Sequence, residues 1–222
     1  MSAPDASTDR TPAATAIVPI KRFDAAKQRL ADALHPRERE RLAAAMAADV
    51  LDLLAACPAI ERTIVVSGEP RLIAIASAAG AEVLDDPEDR GHSEAASLGV
   101  RAALANGAEA VALLPGDCPL LEPAEIGEAL GELPSGAVAV IPDRHGSGTN
   151  GLLLRPPDAI APAFGPGSRE RHLRLAGDAG FHGYVAALPS LALDLDTASD
   201  LAELRRRLDH ATRAPRTRAA LR

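Results

Sequence analysis

Aromatic side chains are nearly missing from this sequence, which has no tryptophan, one tyrosine and three phenylalanines in 222 residues. The aromatic stacking platforms that bind single-stranded nucleic acid are therefore hardly available. Basic residues are outnumbered, because 24 lysines and arginines face 31 aspartates and glutamates and give a formal net charge of −7. This balance argues against broad binding to nucleic acid or to an anionic membrane surface. We expect neither a nucleic-acid nor a membrane partner.

Cysteine and long apolar runs are equally scarce. The two cysteines, Cys57 and Cys118, have a spacing that matches no metal-binding or redox motif. No apolar run is long enough to span a bilayer. The first residues show no basic segment followed by an apolar one, so no secretory signal is predicted. These observations predict a cytoplasmic protein.

The residues that are present predict a folded α/β protein. Hydrophobic residues make up 47% and charged residues 25% of the chain, values typical of globular proteins whose length suffices for a large core. Short apolar strands alternate with amphipathic helices, which predicts a mostly parallel sheet flanked by helices. Strands are predicted at 15–20, 63–67, 82–84, 110–114, 138–141, 151–154 and 183–187, and helices at 36–56, 70–79, 93–106, 123–133, 168–176 and 198–208.

Most of the chain is expected to form a single domain. No internal repeat and no linker divides residues 15–209. Residues 1–14 are rich in Ala, Pro, Ser, Thr and Asp and are predicted to be disordered. Residues 210–222 lack a core pattern, which favours a flexible C-terminal tail, with an interaction tail as the alternative.

The most informative motif is Leu-Leu-Pro-Gly-Asp-Cys-Pro at residues 113–119, where a predicted strand ends and presents one carboxylate, Asp117. A carboxylate at this end of a parallel strand lies where such sheets bind ligands, and it can hold a hard cation beside phosphates. Asp194 and Asp196 occupy a similar strand-to-helix setting, although Asp196-Thr197 could simply be the N-cap of the last helix. Asp117 with Asp194 or Asp196 therefore predicts a magnesium site in an enzyme that acts on a nucleotide.

Basic side chains concentrate after the first predicted strand, where Lys21, Arg22, Lys27 and Arg29 fall within nine residues. At the carboxyl end of a strand such a cluster could hold a triphosphate. An ordinary solvated segment would give the same pattern. No Walker A motif is present, so the segment is not a P-loop.

Two loops could contact a ligand, and each also has a purely structural explanation. Residues 85–94 end near Ser93, which opens a helix whose N-terminus could meet a base or phosphate or could merely be capped. Residues 142–151 form a Gly-rich loop in which Thr149 and Asn150 offer hydrogen-bonding side chains. A flexible connection between two strands is the alternative for this second loop.

A Gly-Pro-Gly turn within residues 164–172 leads directly to Ser168 and a predicted helix. The backbone N–H groups, the Ser168 hydroxyl and the helix dipole together would make an anion site suited to a phosphate monoester. A simple capped helix start is the alternative explanation of this turn.

Together these segments resemble the 2-phospho-L-lactate and phosphoenolpyruvate guanylyltransferases of coenzyme F-420 biosynthesis. The resemblance covers residues 15 to about 209 and is carried by the segments 18–21, 26–30, 114–119, 143–149, 164–169 and 194–197. The pattern Asp-Arg-His-Gly-x-Gly-Thr followed by Phe-Gly-Pro-x-Ser-x-x-x-His is its fairly specific part. Leu-Pro-x-Asp-x-Pro alone identifies only a broad nucleotidyltransferase superfamily.

The resemblance implies a nucleotide-diphospho-sugar transferase-like (Rossmann-like) fold. It implies that GTP and a three-carbon phosphoacid are joined with release of pyrophosphate, the acceptor being phosphoenolpyruvate or 2-phospho-L-lactate. The acceptor's own phosphate would be the nucleophile, so no protein nucleophile is needed. The implied roles are acceptor binding by Thr149, Gly165 and Ser168, nucleotide binding by Lys21, Lys27, Arg29 and Ser93, Mg²⁺ binding by Asp117 and Asp196, and catalysis by Lys21, Lys27 and Asp117.

Two alternatives to this function are a molybdopterin or sugar-phosphate nucleotidyltransferase of the same fold, and a non-catalytic nucleotide-binding protein. The presence of both Asp117 and Asp196 counts against pure binding. The chain departs from related enzymes at residues 91–94, where they often have Leu-Asn and where related folds contact the base. A downstream transferase that accepts the product is a further expected partner.

Overall fold

A computed structural model describes residues 14–222, so almost all of the N-terminal segment predicted to be disordered lies outside the described residues. The strands are β1 (Ala14–Pro19), β2 (Ile60–Ser67), β3 (Glu82–Asp85), β4 (Ala110–Leu113), β5 (Ala137–Pro142), β6 (Thr149–Arg155) and β7 (His182–Val185). The helices are α1 (Pro36–Ala55), α2 (Leu72–Ala78), α3 (His92–Ala105), α4 (Pro123–Gly131), α5 (Ser168–Asp178), α6 (Ala198–Leu208) and α7 (Pro215–Ala220). Every predicted strand and helix is present, with ends shifted by a few residues.

The seven strands form one sheet in the order β3-β2-β1-β4-β6-β5-β7. Only β6 runs antiparallel to its neighbours, β4 and β5, and every other pair is parallel. The prediction of a mostly parallel sheet is therefore confirmed. Because β6 is reversed, its first residue, Thr149, lies at the same edge as the carboxyl ends of β1, β4 and β5.

Alternating side chains of each strand pack into two separate hydrophobic cores, one on each face of the sheet. In β1, Ala16 and Val18 pack on one face of the sheet and Ile17 packs on the other. Helices α1, α2 and α4 cover the first face, and α3 and α5 cover the second. A Cβ at Gly99 would lie 2.3 Å from Ile17 Cγ2, so only glycine lets α3 approach the sheet this closely.

Helix α1 joins the first core to a third apolar cluster. It begins at Pro36 after a capping box in which the Glu38 carboxylate accepts a hydrogen bond from the His35 backbone N–H. Its other side carries Leu42 and Met46, which pack with apolar residues of α6. This contact holds the segment around residues 193–196 against the rest of the protein.

The C-terminal residues differ from the predicted flexible tail, because residues 215–220 form helix α7 packed on α1. The buried carboxylate of Asp49 accepts hydrogen bonds from the backbone N–H and the hydroxyl of Thr217, both at 2.7 Å. Thr217 itself is fully buried. The helix is anchored by these polar hydrogen bonds together with apolar contacts of Ala214, Ala220 and Leu221, and it is too short for hydrophobic periodicity to reveal it.

Thr217→Val removes the hydroxyl donor to Asp49 and is expected to lower the free energy of unfolding by about 1–2 kcal/mol. Urea unfolding followed by circular dichroism measures the change. Thr212→Val, at an exposed position on the same segment, is the matched control and should leave stability unchanged. Equal stability of the two variants would contradict the anchoring role of Asp49.

Candidate active site

A cavity of about 760 Å³ opens at the carboxyl ends of β1 and β4. Parallel α/β sheets bind ligands at this edge. The cavity lies among the segment that follows β1, the loop that follows β4, the β5–β6 loop, the turn that precedes α5 and the segment that precedes α6. The predicted site residues that line it are Lys21, Lys27, Arg29, Asp117, Thr149, Gly165, Ser168, Asp194 and Asp196.

Asp117 reaches the cavity because the chain turns sharply after β4. Leu114 is buried and its N–H donates to the carbonyl of Ile17 in β1. A Cβ at Gly116 would lie 2.8 Å from the side chain of Ile20, so the loop needs a glycine to pass this close to the segment after β1. The carboxylate of Asp117 thereby faces the basic residues of that segment.

Lys27 connects two carboxylates that lie far apart in the sequence. Its ammonium group contacts the carboxylate of Asp117 and lies 3.5 Å from Asp196 Oδ1. The backbone of Lys27 is left-handed, with φ at 56°, which turns the side chain inward from an otherwise exposed segment. Arg29 stays mostly exposed, with Nη1 3.6 Å from Asp196 Oδ2.

Lysine is rare enough that its placement is informative. Of the 24 basic residues only Lys21 and Lys27 are lysines, and both line the cavity. Lysine presents a compact point charge suited to phosphate. The scarcity of lysine is the sequence signal that points to both of these residues.

The charges at this corner of the cavity shift one another's protonation. Burial alone would lower the pKa of Lys27, but Asp117, Asp196 and Asp194 outweigh it and raise that pKa above its usual value. The pKa of Asp194 is raised, first by burial and then by the neighbouring Asp117 carboxylate. The corner is therefore a place where negative charge accumulates and a cation is held.

The Asp196 carboxylate can face Lys27 because another residue, Thr197, caps α6. Thr197 is the N-cap, and its hydroxyl accepts a hydrogen bond from the backbone N–H of Asp200. The Asp200 carboxylate in turn accepts from the backbone N–H groups of Asp196 and Thr197. The alternative that Asp196-Thr197 forms the N-cap of the last helix therefore holds for Thr197, whereas the Asp196 side chain takes no part in the cap.

The donor set fits a magnesium ion that is completed by substrate phosphates. Asp117 and Asp196 converge on one positive charge, the Lys27 ammonium, which occupies a position suited to a cation. Within residues 14–222 no cluster of three or more His, Cys, Asp or Glu side chains could enclose a metal ion. Mg²⁺ commonly uses one or two carboxylates and takes its remaining ligands from phosphates and water.

The opposite side of the cavity carries two hydroxyl side chains, those of Thr149 and Ser168, beside the Asp143 carboxylate of the β5–β6 loop. Ser168 is the first residue of α5, and its hydroxyl is buried without a hydrogen-bond partner in the described part of the chain. The turn before it needs glycine, because φ is 114° at Gly165 and 70° at Gly167. Arg171 fastens this turn by donating to the carbonyls of Ala163 and Pro166. A buried hydroxyl without a partner marks a position where a ligand oxygen can bind.

His172 lies one turn of helix beyond Ser168 and joins this wall to the β5–β6 hairpin. Its Nδ1 is 3.1 Å from Thr149 Oγ1, and its Nε2 is 2.9 Å from the backbone nitrogen of Ala163. Burial, with a smaller effect of Arg171, lowers the pKa of His172 from 6.5 to about 4. The sequence motif contains this histidine, but nothing in the sequence gave it a role.

The lowered pKa of His172 predicts a pH dependence of stability. Below pH 6.5 this histidine is protonated in the unfolded chain, whereas in the folded protein it is protonated only below about pH 4. The free energy of unfolding therefore falls as the pH decreases between these values. When the pH is lowered from neutral to 4.5, the free energy of unfolding of His172→Gln should fall by about 2 kcal/mol less than that of the wild type. Urea unfolding at the two pH values measures this difference, and identical losses would contradict it.

Ser93 is the predicted site residue that the structure does not bring to the cavity. Its hydroxyl accepts a hydrogen bond from the backbone N–H of Phe164, 2.9 Å away, and so ties the start of α3 to the turn before α5. The neighbouring His92 lines the cavity instead, with its ring edge-to-face against Phe164 at a centroid distance of 4.6 Å. His92, which the sequence analysis did not single out, therefore lies nearer to a ligand than Ser93.

Comparisons of the whole chain agree with this geometry. The model of the family described as "Guanylyl transferase CofC like" matches residues 14–211. A phosphoenolpyruvate guanylyltransferase of Conexibacter woesei is 45% identical over 193 residues, which is 86% of each chain. A protein of the same name from Sphaerobacter thermophilus is 40% identical over 85% of this chain and 91% of its own.

Solved structures share the fold at low sequence identity. A protein assigned to the nucleotide-diphospho-sugar transferases, from Desulfovibrio desulfuricans G20, superposes with a TM-score of 0.73 at 18% identity and covers 94% of this chain and 93% of its own. A nucleotidyl transferase from Methanothermobacter gives a TM-score of 0.65 at 19% identity, over 89% of this chain and 98% of its own. The expected nucleotide-diphospho-sugar transferase-like fold is confirmed. With the family match over nearly all of its described length, the chain belongs to the CofC-like guanylyl transferases.

Proposed function

We propose that this enzyme transfers the guanylyl group of GTP to the phosphate of phosphoenolpyruvate, with release of pyrophosphate, as a step of coenzyme F-420 biosynthesis. The observation that carries the proposal is the pairing, in one cavity, of a charged corner at Lys27, Asp117 and Asp196 with the hydroxyl side chains of Thr149 and Ser168. The first suits a triphosphate with its cation, and the second suits a small anion. Related proteins of up to 45% identity are named for this reaction.

In this reaction a phosphate oxygen of the acceptor attacks the α-phosphorus of GTP. A new P–O bond forms there, and the bond between the α-phosphorus and the bridging oxygen to the β-phosphorus breaks, so pyrophosphate leaves with that electron pair. The acceptor supplies the nucleophile, so the protein's task is to align the two substrates and to neutralise charge. Lys21 and Lys27, at the mouth of the charged corner, are proposed to bind the triphosphate.

Mg²⁺ is the proposed metal, with Asp117 and Asp196 as its protein ligands, and it would neutralise phosphate charge as the P–O bond forms. Arg29, beside Asp196, is proposed to bind the part of the triphosphate nearest to solvent. The binding of guanine itself has less support, because Ser93 bonds to Phe164 and only His92 of the neighbouring residues lines the cavity.

The acceptor is proposed to lie against Thr149, Gly165 and Ser168. The Ser168 hydroxyl and the start of α5 favour an anionic oxygen. Phosphoenolpyruvate and 2-phospho-L-lactate both offer a phosphate and a carboxylate, and they differ in planarity at the central carbon. The names of the relatives favour phosphoenolpyruvate.

The test is mass spectrometry of reactions that contain the enzyme, GTP, Mg²⁺ and one phosphoacid each. A guanylylated phosphoenolpyruvate together with pyrophosphate would support the proposal. Product only with 2-phospho-L-lactate would keep guanylyl transfer and overturn the choice of acceptor. Product with ATP or CTP but not with GTP would overturn the choice of nucleotide.

Ser168→Ala should raise KM for the phosphoacid by about 10- to 100-fold and leave KM for GTP nearly unchanged, because it removes a hydrogen bond to an anion. Steady-state kinetics with each substrate varied in turn measures the two constants. Ser77→Ala, at an exposed position on α2, is the control for a serine deletion outside the cavity. An equal rise in both KM values would contradict the assignment of Ser168 to the acceptor.

The cellular setting is part of the same proposal. None of the helices within residues 14–222 has the length and apolar character needed to cross a bilayer. Cys57 and Cys118 are both free and buried, which agrees with a reducing cytoplasm. The guanylylated product is a reactive diphosphate, and a transferase that accepts it is the proposed partner.

A further inference from the structure

The imidazole of His172 is fully buried and both of its ring nitrogens have a partner. The Ala163 backbone can only donate to Nε2, since its nitrogen carries the hydrogen and lies 2.9 Å away. The Thr149 hydroxyl lies 3.1 Å from Nδ1 and can either donate or accept. The ring of Phe164 packs edge-to-face on the imidazole at a centroid distance of 5.3 Å. No exposed fraction remains through which water could replace either bond.

The Ala163 contact selects one tautomer of the ring. Nε2 must be unprotonated to accept this hydrogen bond, so the single proton of the neutral imidazole is on Nδ1. The opposite tautomer would set two N–H donors against each other at 2.9 Å in a buried place. Protonation of both nitrogens would create the same conflict. The lowered pKa of His172 agrees with a ring that stays neutral.

The tautomer in turn fixes the direction of the Thr149 hydroxyl. Nδ1–H donates to Oγ1, so the hydroxyl hydrogen must point elsewhere. Thr149 lines the cavity, and within the described residues its Oγ1 has no second hydrogen-bond partner. The hydroxyl can therefore donate into the cavity, on the wall that also holds the unpartnered hydroxyl of Ser168.

We propose that His172 is a positioning residue that locks the Thr149 hydroxyl as a hydrogen-bond donor to the anionic acceptor. The inference rests on the proposed function, because it takes the acceptor site to be at Thr149 and Ser168. A threonine hydroxyl that donated to a histidine would offer only lone pairs to the ligand and would repel a phosphate or carboxylate oxygen. With His172 neutral and protonated at Nδ1, the Thr149 hydroxyl can donate to an anion beside the unpartnered hydroxyl of Ser168. His172 thus acts on substrate choice without touching the substrate.

Two substitutions separate this role from simple support of the turn. Asn places a donor where Nδ1 lies, so His172→Asn keeps the bond to Thr149 and loses the acceptor for Ala163. Gln places an acceptor where Nε2 lies, so His172→Gln keeps the bond to Ala163 and loses the donor to Thr149. The two variants have the same functional group and differ only in the bond that they retain.

The expected result is that His172→Gln raises KM for phosphoenolpyruvate about tenfold or more with KM for GTP unchanged, while His172→Asn stays within about threefold of the wild type. In the Thr149→Val background the substitution to Gln should have little further effect, because the hydroxyl that it orients is already gone. The reverse ranking, in which Asn is impaired and Gln is not, would overturn the proposal, since support of Ala163 would then be the function of the ring. Equal impairment of both variants would overturn it too.

Nitrogen-15 NMR of the unliganded wild-type protein tests the first step without any substitution. The chemical shifts of the two ring nitrogens should show Nδ1 protonated and Nε2 bare at neutral pH. The opposite tautomer or an imidazolium would overturn the proposal even if both variants failed to fold. A wild-type enzyme that has this tautomer but catalyses no guanylyl transfer would instead contradict the proposed function. Failure of the His172 proposal and failure of the proposed function can therefore be distinguished.

Discussion

Asp117→Asn is expected to lower kcat by at least about 10³-fold, because it removes one of the two carboxylates proposed to hold Mg²⁺ beside the reacting phosphates. The substitution keeps the size and shape of the side chain, so the sharp turn at Gly116 and the buried strand β4 stay intact. Pyrophosphate release from GTP in the presence of phosphoenolpyruvate, measured against Mg²⁺ concentration, follows the loss. High Mg²⁺ should restore part of the activity, since Asp196 remains.

The control for this substitution is Asp158→Asn, which changes the charge equally at an exposed position outside the cavity. It should leave kcat and the Mg²⁺ dependence as they are in the wild type. Thermal unfolding of both variants checks that neither has lost its fold. Turnover of Asp117→Asn within a few-fold of the wild type would show that the metal and catalytic roles assigned to Asp117 are wrong.

Lys27→Met is expected to lower kcat by about 10²- to 10³-fold, since it removes the buried positive charge at the charged corner. The same change should strengthen the binding of Mn²⁺ to the protein in the absence of nucleotide, because the ammonium no longer neutralises Asp117 and Asp196. Lys27→Arg should fail to restore turnover, because a planar guanidinium is larger and directs its donors differently. Electron paramagnetic resonance of free Mn²⁺ measures binding, and pyrophosphate release measures kcat.

Arg22→Met serves as the control for Lys27, because Arg22 is exposed on the same segment and does not line the cavity. Loss of its charge should change neither Mn²⁺ binding nor turnover appreciably. Weaker Mn²⁺ binding in Lys27→Met would mean that the lysine does not compete with a cation at this corner. Unchanged turnover would remove Lys27 from the catalytic residues.

The sheet could be predicted from the sequence because its signal is local. Each strand is a short apolar run, and each crossover helix has a buried stripe, so composition and periodicity were sufficient. The reversed direction of β6 carries no such signal. It follows from the short hairpin loop between β5 and β6, which leaves no room for a crossover helix.

The charged corner could also be predicted, because Asp117 and the two lysines follow β4 and β1, which end at one edge of the sheet. Asp196 follows a 3-10 helix at Pro189–Leu191 and an irregular segment, not the strand that was predicted before it. What the sequence could not show are the contacts made across long separations by single hydrogen bonds. Ser93 has its hydroxyl bonded to a backbone 71 residues away. Asp49 binds a helix 168 residues later. Neither bond leaves a periodic trace in the sequence, so neither the bond of Ser93 to Phe164 nor the ordered C-terminal helix was predicted.

In the proposed function, the reversed strand β6 places the two substrates on different parts of the chain. The charged corner proposed for the triphosphate lies after parallel strands β1 and β4 and before α6, whereas the wall proposed for the acceptor is built from the hairpin strand and the start of α5. The β5–β6 loop takes no part in the pairing of β1 with β4. The proposed acceptor wall is therefore modular, because its loop can differ between related proteins while the strands beneath the proposed triphosphate site stay the same.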